Sequence, residues 1–233
     1  LGFEWYKEQI IKDIPKHKLN SNKLLIGEKT PTYSYKENCP ERIFSYSNNL
    51  KLVWIFRNPV KRSFSNYLHA VKKGNELRSF KFCIENEESR IKKDIFKGYI
   101  ERSKYIKQVK SFLRFFDISQ MHFLLFEDLL INPKTVISKL MDFLECQNDI
   151  QDLELPYSNK TFLPRFPILR YGTKKFLKQD SFIFKSINKV NLNLNQLIPN
   201  KKYKLDKEIE KNLTDYFLPY NKRLSELTKL DTS

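Results

Sequence analysis

Glycine, cysteine and histidine are scarce in this chain, and each scarcity closes a class of function. Among 233 residues there are 5 Gly, 3 Cys and 3 His. Cys39, Cys83 and Cys146 fit neither a disulfide framework nor a zinc spacing and read as reduced packing residues. His17, His69 and His122 are too dispersed for a metal site. No two glycines lie close together, so no glycine-rich phosphate loop is written here. Gly27-Glu28-Lys29-Thr30 lacks the earlier glycine that such a loop requires. Nor is there a Ser/His/Asp order or a nucleophile elbow. No run approaches the roughly 18 uninterrupted apolar residues of a membrane helix, so no membrane segment is expected. The chain opens Leu1-Gly2-Phe3-Glu4-Trp5-Tyr6 without Met or a signal-like segment, which reads as an N-terminal truncation.

What is present is aromatic and basic. The 19 Phe and 12 Tyr supply apolar surface enough to exclude disorder, and one domain over residues 1–233 is expected. The net charge is +16. Such an excess invites a nucleic-acid reading, because Lys and Arg that neutralise phosphates release counterions. No zinc-finger spacing, aromatic RNA-recognition motif or basic heptad accompanies it, so no specific nucleic-acid partner is expected. A single alanine, Ala70, amid abundant Lys, Asn, Ile and Phe fits an AT-rich coding sequence, which leaves part of the charge to codon bias. The informative charge is local: between Lys160 and Lys189 stand eight basic residues and one acidic, Asp180. That segment suits a small, highly charged anion as well as a polymer.

Three short β-rich runs, 24–28, 50–56 and 121–126, read as buried parallel strands. Helical patterns separate the second and third, the clearest placing Ile106, Val109, Leu113 and Phe116 on one face. Strands alternating with helices predict βαβ units and a three-layer α/β/α fold around a central parallel sheet. Asn58-Pro59 and Asn132-Pro133 each signal a helix start. From 156 to about 180 prolines and basic residues predict a long loop or a loop with short helices. The stretch from Leu205 to Leu227 reads as a helix broken or kinked at Pro219.

The densest chemistry lies in 53–67. A strand delivers Arg57 to the sheet's carboxyl edge, where open α/β sheets bind ligands. The helix starting at Pro59 then offers unpaired amides and a positive dipole end, and arginine clasps phosphate through two parallel hydrogen bonds. Ser65 lies six residues past Pro59, about 9 Å along the helix, so an anion touching both lies beside the first turns. His69 follows one turn later. Lys29 stands after the first predicted strand.

These residues resemble the PAPS-dependent sulfotransferases, in particular the branch with the heparan sulfate glucosaminyl sulfotransferases and their bacterial relatives. The resemblance runs through Gly27-Glu28-Lys29-Thr30-Pro31, Arg57-Asn58-Pro59-Val60-Lys61-Arg62-Ser63-Phe64-Ser65, Gly98-Tyr99 and Phe126-Glu127-Asp128-Leu129. It closes at Tyr216 to Leu224 and so covers nearly the whole chain. It implies a nucleotide-kinase-like α/β fold that moves a sulfuryl group from 3'-phosphoadenosine 5'-phosphosulfate (PAPS) to a hydroxyl or amine of a carbohydrate-like acceptor, without metal. By motif, Arg57 and Ser65 correspond to the pair that binds the donor's 3'-phosphate. Lys29 corresponds to the catalytic lysine near the transferring group, and Arg165 to a residue of the donor-covering loop.

The family's phosphate loop, first strand and general base are expected upstream of residue 1, which predicts little or no transfer by this chain. Should it prove active, Glu4, Glu8 and His69 are the bases to examine. The family's compartment is cytoplasmic for a bacterial or viral enzyme and the Golgi lumen for a eukaryotic one. A basic nucleic-acid-binding module and a phosphotransferase of the same fold are the alternatives.

Overall fold

The structure, a computed structural model, describes residues 3–12, 25–146, 163–197 and 203–231. By contact the chain gathers into two compact units. The first comprises Leu1–Leu50 with Gln108–Gln120, and the second Lys51–Lys107 with Met121–Ser233.

The first unit holds helices α1 (Phe3–Lys12) and α2 (Cys39–Tyr46). Phe44 of α2 packs its ring 5.4 Å from that of Phe116. The strand expected over 24–28 does not form at its described residues: Leu25 and Ile26 are 52% and 48% exposed in irregular backbone. An apolar run becomes a strand only when a neighbour meets its amides, and no described residue pairs with it. Local side-chain bonds take over instead. Glu28 Oε1 accepts from Thr30 Oγ1 at 2.7 Å and from Tyr33 Oη at 2.9 Å, which fixes a turn.

The second unit carries the sheet. Strands β1 (Leu52–Phe56) and β2 (Met121–Leu125) pair in parallel, Leu52 opposite Met121 and Phe56 opposite Leu125. A parallel pair needs a crossover, and the intervening helices supply it. Among the described residues the sheet has these two strands. β1 buries Trp54 and Phe56, while Val53 and Ile55, which point to its other face, are exposed.

Helix α3 (Pro59–Lys72) follows β1 and buries Val60, Ser63, Tyr67 and Val71 at helical spacing. After it come α4 (Phe80–Glu85), α5 (Glu87–Ile91) and α6 (Tyr105–Phe112), of which Tyr105 to Lys107 belong to this unit. β2 leads into α7 (Phe126–Ile131) and α8 (Pro133–Leu144). The last helices are α9 (Pro167–Phe176), α10 (Phe182–Leu197) and α11 (Lys207–Thr228). The core joins Tyr67, Phe80, Cys83 and Tyr99 to Phe217 of α11.

The two buried carboxylates Glu76 and Glu87 are matched, as burial requires. Glu76 accepts from Tyr99 Oη at 2.9 Å and from the amides of Leu77 and Arg78, and pairs with Arg90 and Lys97. Glu87 accepts from the amides of Ile100 and Glu101 at 2.8 and 2.7 Å. The strap from Gly98 to Ser103 is thereby held on α3, where Ser63 Oγ lies 3.0 Å from the Tyr99 carbonyl and 2.8 Å from Ser103 Oγ.

Two expectations along the chain are sharpened. Of the expected loop over 156–180, residues 167–176 form α9, and the part up to 162 lies outside the described residues. α11 is not broken at Pro219: it runs 22 residues, capped by Asp206, with Leu213 and Phe217 buried before the proline and Leu224 after it. Buried anchors on both sides hold the helix together where the proline removes one backbone hydrogen bond.

Candidate functional site

A cleft of about 240 Å³ opens at the carboxyl ends of β1 and β2. Arg57, Asn58 and Lys61 line it from the β1 side, Glu127 from the β2 side, and Tyr105 and Asn221 from α6 and α11. This is the edge at which parallel α/β sheets gather ligands, because both strands end there and deliver the residues that follow them.

Arg57 is the centre of the arrangement. Its Nε is buried without a hydrogen-bond partner, and its guanidinium lies 5.3 Å from the centre of the Phe126 ring. Among the described residues no carboxylate pairs with it. Glu127 and Asp231 line the same cleft without forming an ion pair with it, and a half-buried cation held by stacking without an ion pair is suited to receive an anion. Its own amide donates to Tyr105 Oη at 3.4 Å. Burial pushes the Tyr105 phenol up, so Tyr105 keeps its proton at neutral pH and has it to donate.

The amides at the start of α3 are not available, contrary to expectation. Asn58 Oδ1 accepts from both Val60 N and Lys61 N at 3.1 Å, and Asn58 O accepts from Arg62 N at 2.9 Å. An anion here therefore meets side chains and the helix dipole, not bare main-chain donors. Glu127 shares the cleft but is engaged: its Oε1 takes the Asn58 amide at 3.1 Å.

The expected residues come together only in part. Arg57 lines the cleft, whereas Ser65 does not. Ser65 stands half-buried one turn beyond Lys61 on the same ridge of α3, and His69 one turn beyond that. Burial, with Lys73 and Lys72 nearby, holds the His69 imidazole below its ordinary range, so it is neutral at pH 7. Lys29 lies in the first unit, exposed beside the Glu28 turn. Arg165 is half-buried; its amide donates to the Asn191 carbonyl at 2.9 Å, and its charge acts on Tyr203, away from the cleft lining. The neighbouring Phe166 amide donates to Asn191 Oδ1 at 2.7 Å, which anchors this stretch to α10.

Sequence reasoning passed over Lys61, Tyr105, Glu127 and Asn221 as site residues. Lys61 had a signal, one turn before Ser65; Tyr105 and Asn221 reach the cleft from helices far along the chain and had none. No group of His, Cys, Asp or Glu among the described residues is arranged to hold a metal, and no described helix is long and apolar enough to cross a membrane.

Fold and cleft define an α/β protein with an anion-suited pocket at the carboxyl ends of parallel strands. Comparison with known proteins then gives the family. The sulfotransferase domain family matches residues 4–217, and the chain belongs to it. It is 26% identical over 230 residues to heparan sulfate glucosamine 3-O-sulfotransferase 3B1 of Homo sapiens, covering 99% of this chain and 53% of that protein. It is 30% identical over 208 residues to the bifunctional heparan sulfate N-deacetylase/N-sulfotransferase of Drosophila melanogaster, covering 87% of this chain and 18% of that one. The chain thus spans about half the length of the human relative. The crystal structure of a sulfotransferase from Alicyclobacillus acidocaldarius matches with a TM-score of 0.67 at 21% identity, covering 99% of this chain and 72% of that one. The fold is accordingly the α/β sulfotransferase fold.

Proposed function

We propose that the 233 residues act as one sulfotransferase domain that handles PAPS and serves transfer of its sulfuryl group to a hydroxyl or amine of a carbohydrate-like acceptor. The observation that carries this reading is Arg57: a half-buried guanidinium without an acidic partner, at the strand edge, in a chain of this family. Arg57 would grip the donor's 3'-phosphate through two N–H groups, with Lys61 adding charge and Ser65 a hydroxyl from the next turn. Lys29 would offset charge developing on the sulfuryl oxygens, and Arg165 would belong to the segment closing over the donor. Direct in-line transfer of this kind needs positioning and electrostatics and no metal. The acceptor class is taken from the names of the relatives, which act on heparan sulfate glucosamine.

No glycine-rich phosphate loop is among these residues, so transfer by this stretch alone is expected to be slow even where the nucleotide binds. Two basic residues of the segment from Lys160 to Lys189 are used inside the fold. Arg170 lies over Phe184 at 4.9 Å, and Lys174 bonds to Asn75.

The test is binding of 3',5'-ADP, the donor product, by calorimetry and thermal unfolding. Saturating nucleotide should raise the unfolding temperature by mass action. Neither heat of binding nor thermal protection at millimolar nucleotide would remove the donor assignment. Binding of unrelated duplexes with a steep salt dependence, and no nucleotide protection, would favour the nucleic-acid module.

A further inference from the structure

Helices α9 and α10 are amphipathic the wrong way round. The face of α9 turned inward carries Arg170, Thr173 and Lys174, of which Thr173 is buried. These are matched by polar and aromatic partners: Asn188 Nδ2 donates to Thr173 Oγ1 at 3.1 Å, Arg170 lies over Phe184, and Lys174 meets Asn75. Gly74, at φ +67, comes so near α9 that a side chain there would meet Arg170 at 3.1 Å, which fixes the inward face. The outward face of the same helix carries Ile168 at 75% and Phe176 at 78% exposure, with Leu169 and Tyr171 beside them.

α10 repeats the pattern. It buries Asn188 and Asn191 together with Phe184, and leaves out Ile183, Val190 and Leu194 along one ridge, with Phe182 83% exposed at its start. The two helices form a hairpin joined by residues 177–181, and Phe176 and Phe182 flank its tip. Scattered surface hydrophobics need no explanation, but a pair of helices with polar residues in and aliphatics out does.

Charge decides what covers the face. Asp180 is the sole acidic residue from 163 to 197, against seven Lys and Arg. Lys175, Lys178, Lys185 and Lys189 are exposed around the apolar surface. A second copy of the chain would bring the same lysines against themselves, on a molecule already at +16. A polyanion would answer the lysines but leave Phe176, Phe182 and Ile168 in water. An anionic bilayer answers both, with phenyl rings entering the acyl boundary and ammonium groups staying at the headgroups. We propose that the hairpin of α9 and α10 docks the protein on anionic phospholipid membranes, its tip inserted at the interface.

The experiment is co-sedimentation of the 233-residue chain with vesicles of phosphatidylcholine containing about 30% phosphatidylserine, and with phosphatidylcholine alone. Wild type should sediment with the anionic vesicles and far less with the neutral ones. The double variant Phe176→Ser with Phe182→Ser should lose about tenfold or more in partitioning, and Lys178→Glu with Lys185→Glu about thirtyfold or more. All four side chains are exposed, so thermal unfolding of both variants should match wild type. Three results would overturn the proposal. They are absence of sedimentation at low salt, equal sedimentation of the phenylalanine variant (charge alone binds), and dimers that vanish in that variant while vesicles stay unbound (a second copy covers the face).

Discussion

The same dipeptide opens two helices of this protein, and only one of them lines the cleft. Asn58-Pro59 begins α3 with Asn58 Oδ1 accepting two amides at 3.1 Å. Asn132-Pro133 begins α8 with no side-chain cap bond, the asparagine at φ −132 and ψ 64. The amide of Asn58 goes to a side chain, Glu127 Oε1; that of Asn132 goes to the main-chain carbonyl of Asp128 at 2.8 Å. What precedes each pair differs most. β1 hands Arg57 to the cleft, whereas the short helix α7 hands Ile131 to solvent at 74% exposure. Asn-Pro is therefore punctuation, and the preceding parallel strand is what places a helix start on the cleft.

The strongest way to break this contrast is to remove the residue that each element delivers. Arg57→Ala should cost about 1.5 to 3 kcal/mol of 3',5'-ADP binding, the worth of a hydrogen-bonded charge, which is roughly ten- to hundredfold in affinity. Ile131→Ala, at the matching place before Asn132, should leave the affinity unchanged. Ser65→Ala should fall between them, because Ser65 lies one turn outside the cleft lining. Equal affinities for wild type and Arg57→Ala would mean that the nucleotide, if bound, is bound elsewhere.

The contrast also shows how far the residues could be read in advance. β1, β2 and the start of α3 were legible because both strands are short apolar runs with aromatic residues, and β1 is followed closely by the helix signal Asn58-Pro59. The run at 24–28 looked alike but is irregular at Leu25 and Ile26, because a strand exists only with a partner, and partners are not written in the run itself. α10 was not anticipated at all. Its apolar residues point outward, so its pattern does not mark a buried stripe, and its inward Asn188 and Asn191 are the composition of a loop. Of the site, Arg57 was legible from its place after a strand. Tyr105 and Asn221 were not, since 48 and more residues separate them from Arg57 and only the folded core brings them there.

A smaller effect tests the caps. Asn58→Ala should destabilise the fold by about 1 to 2 kcal/mol, at the upper end for a cap that meets two amides. Asn132→Ala, which loses no side-chain cap bond, should cost no more than a few tenths. Chemical denaturation of the two variants reads this directly, and equal losses would show that proline at the first turn sets both helix starts. Glu127→Gln comes next in size. It keeps an oxygen for the Asn58 amide while removing a negative charge from the cleft that holds Arg57. Affinity for 3',5'-ADP should rise by under about 1 kcal/mol at near-water dielectric. A fall would make the Glu127 charge a holder of Arg57 and not a competitor for it.

The faintest difference lies at the far ends of the two helices, and pH separates it. Near the end of α3, His69 is held below its ordinary 6.5 by burial first and then by Lys73 and Lys72. The unfolded chain then binds a proton that the folded chain resists, so stability is full above 6.5 and declines as pH falls below it. After α8, Glu145 is held below its ordinary 4.5 by its hydrogen bond and ion pair with Lys51, at 2.6 Å. Its contribution is present above 4.5 and fades only below that, and it is small because the pair is exposed. Between pH 7.5 and 5, His69→Gln should flatten the stability profile relative to wild type, while Glu145→Gln should shift it without changing its slope. If the His69→Gln and wild-type curves run parallel through that range, the imidazole is solvated in the fold, and α3 ends as neutrally with respect to pH as α8 does.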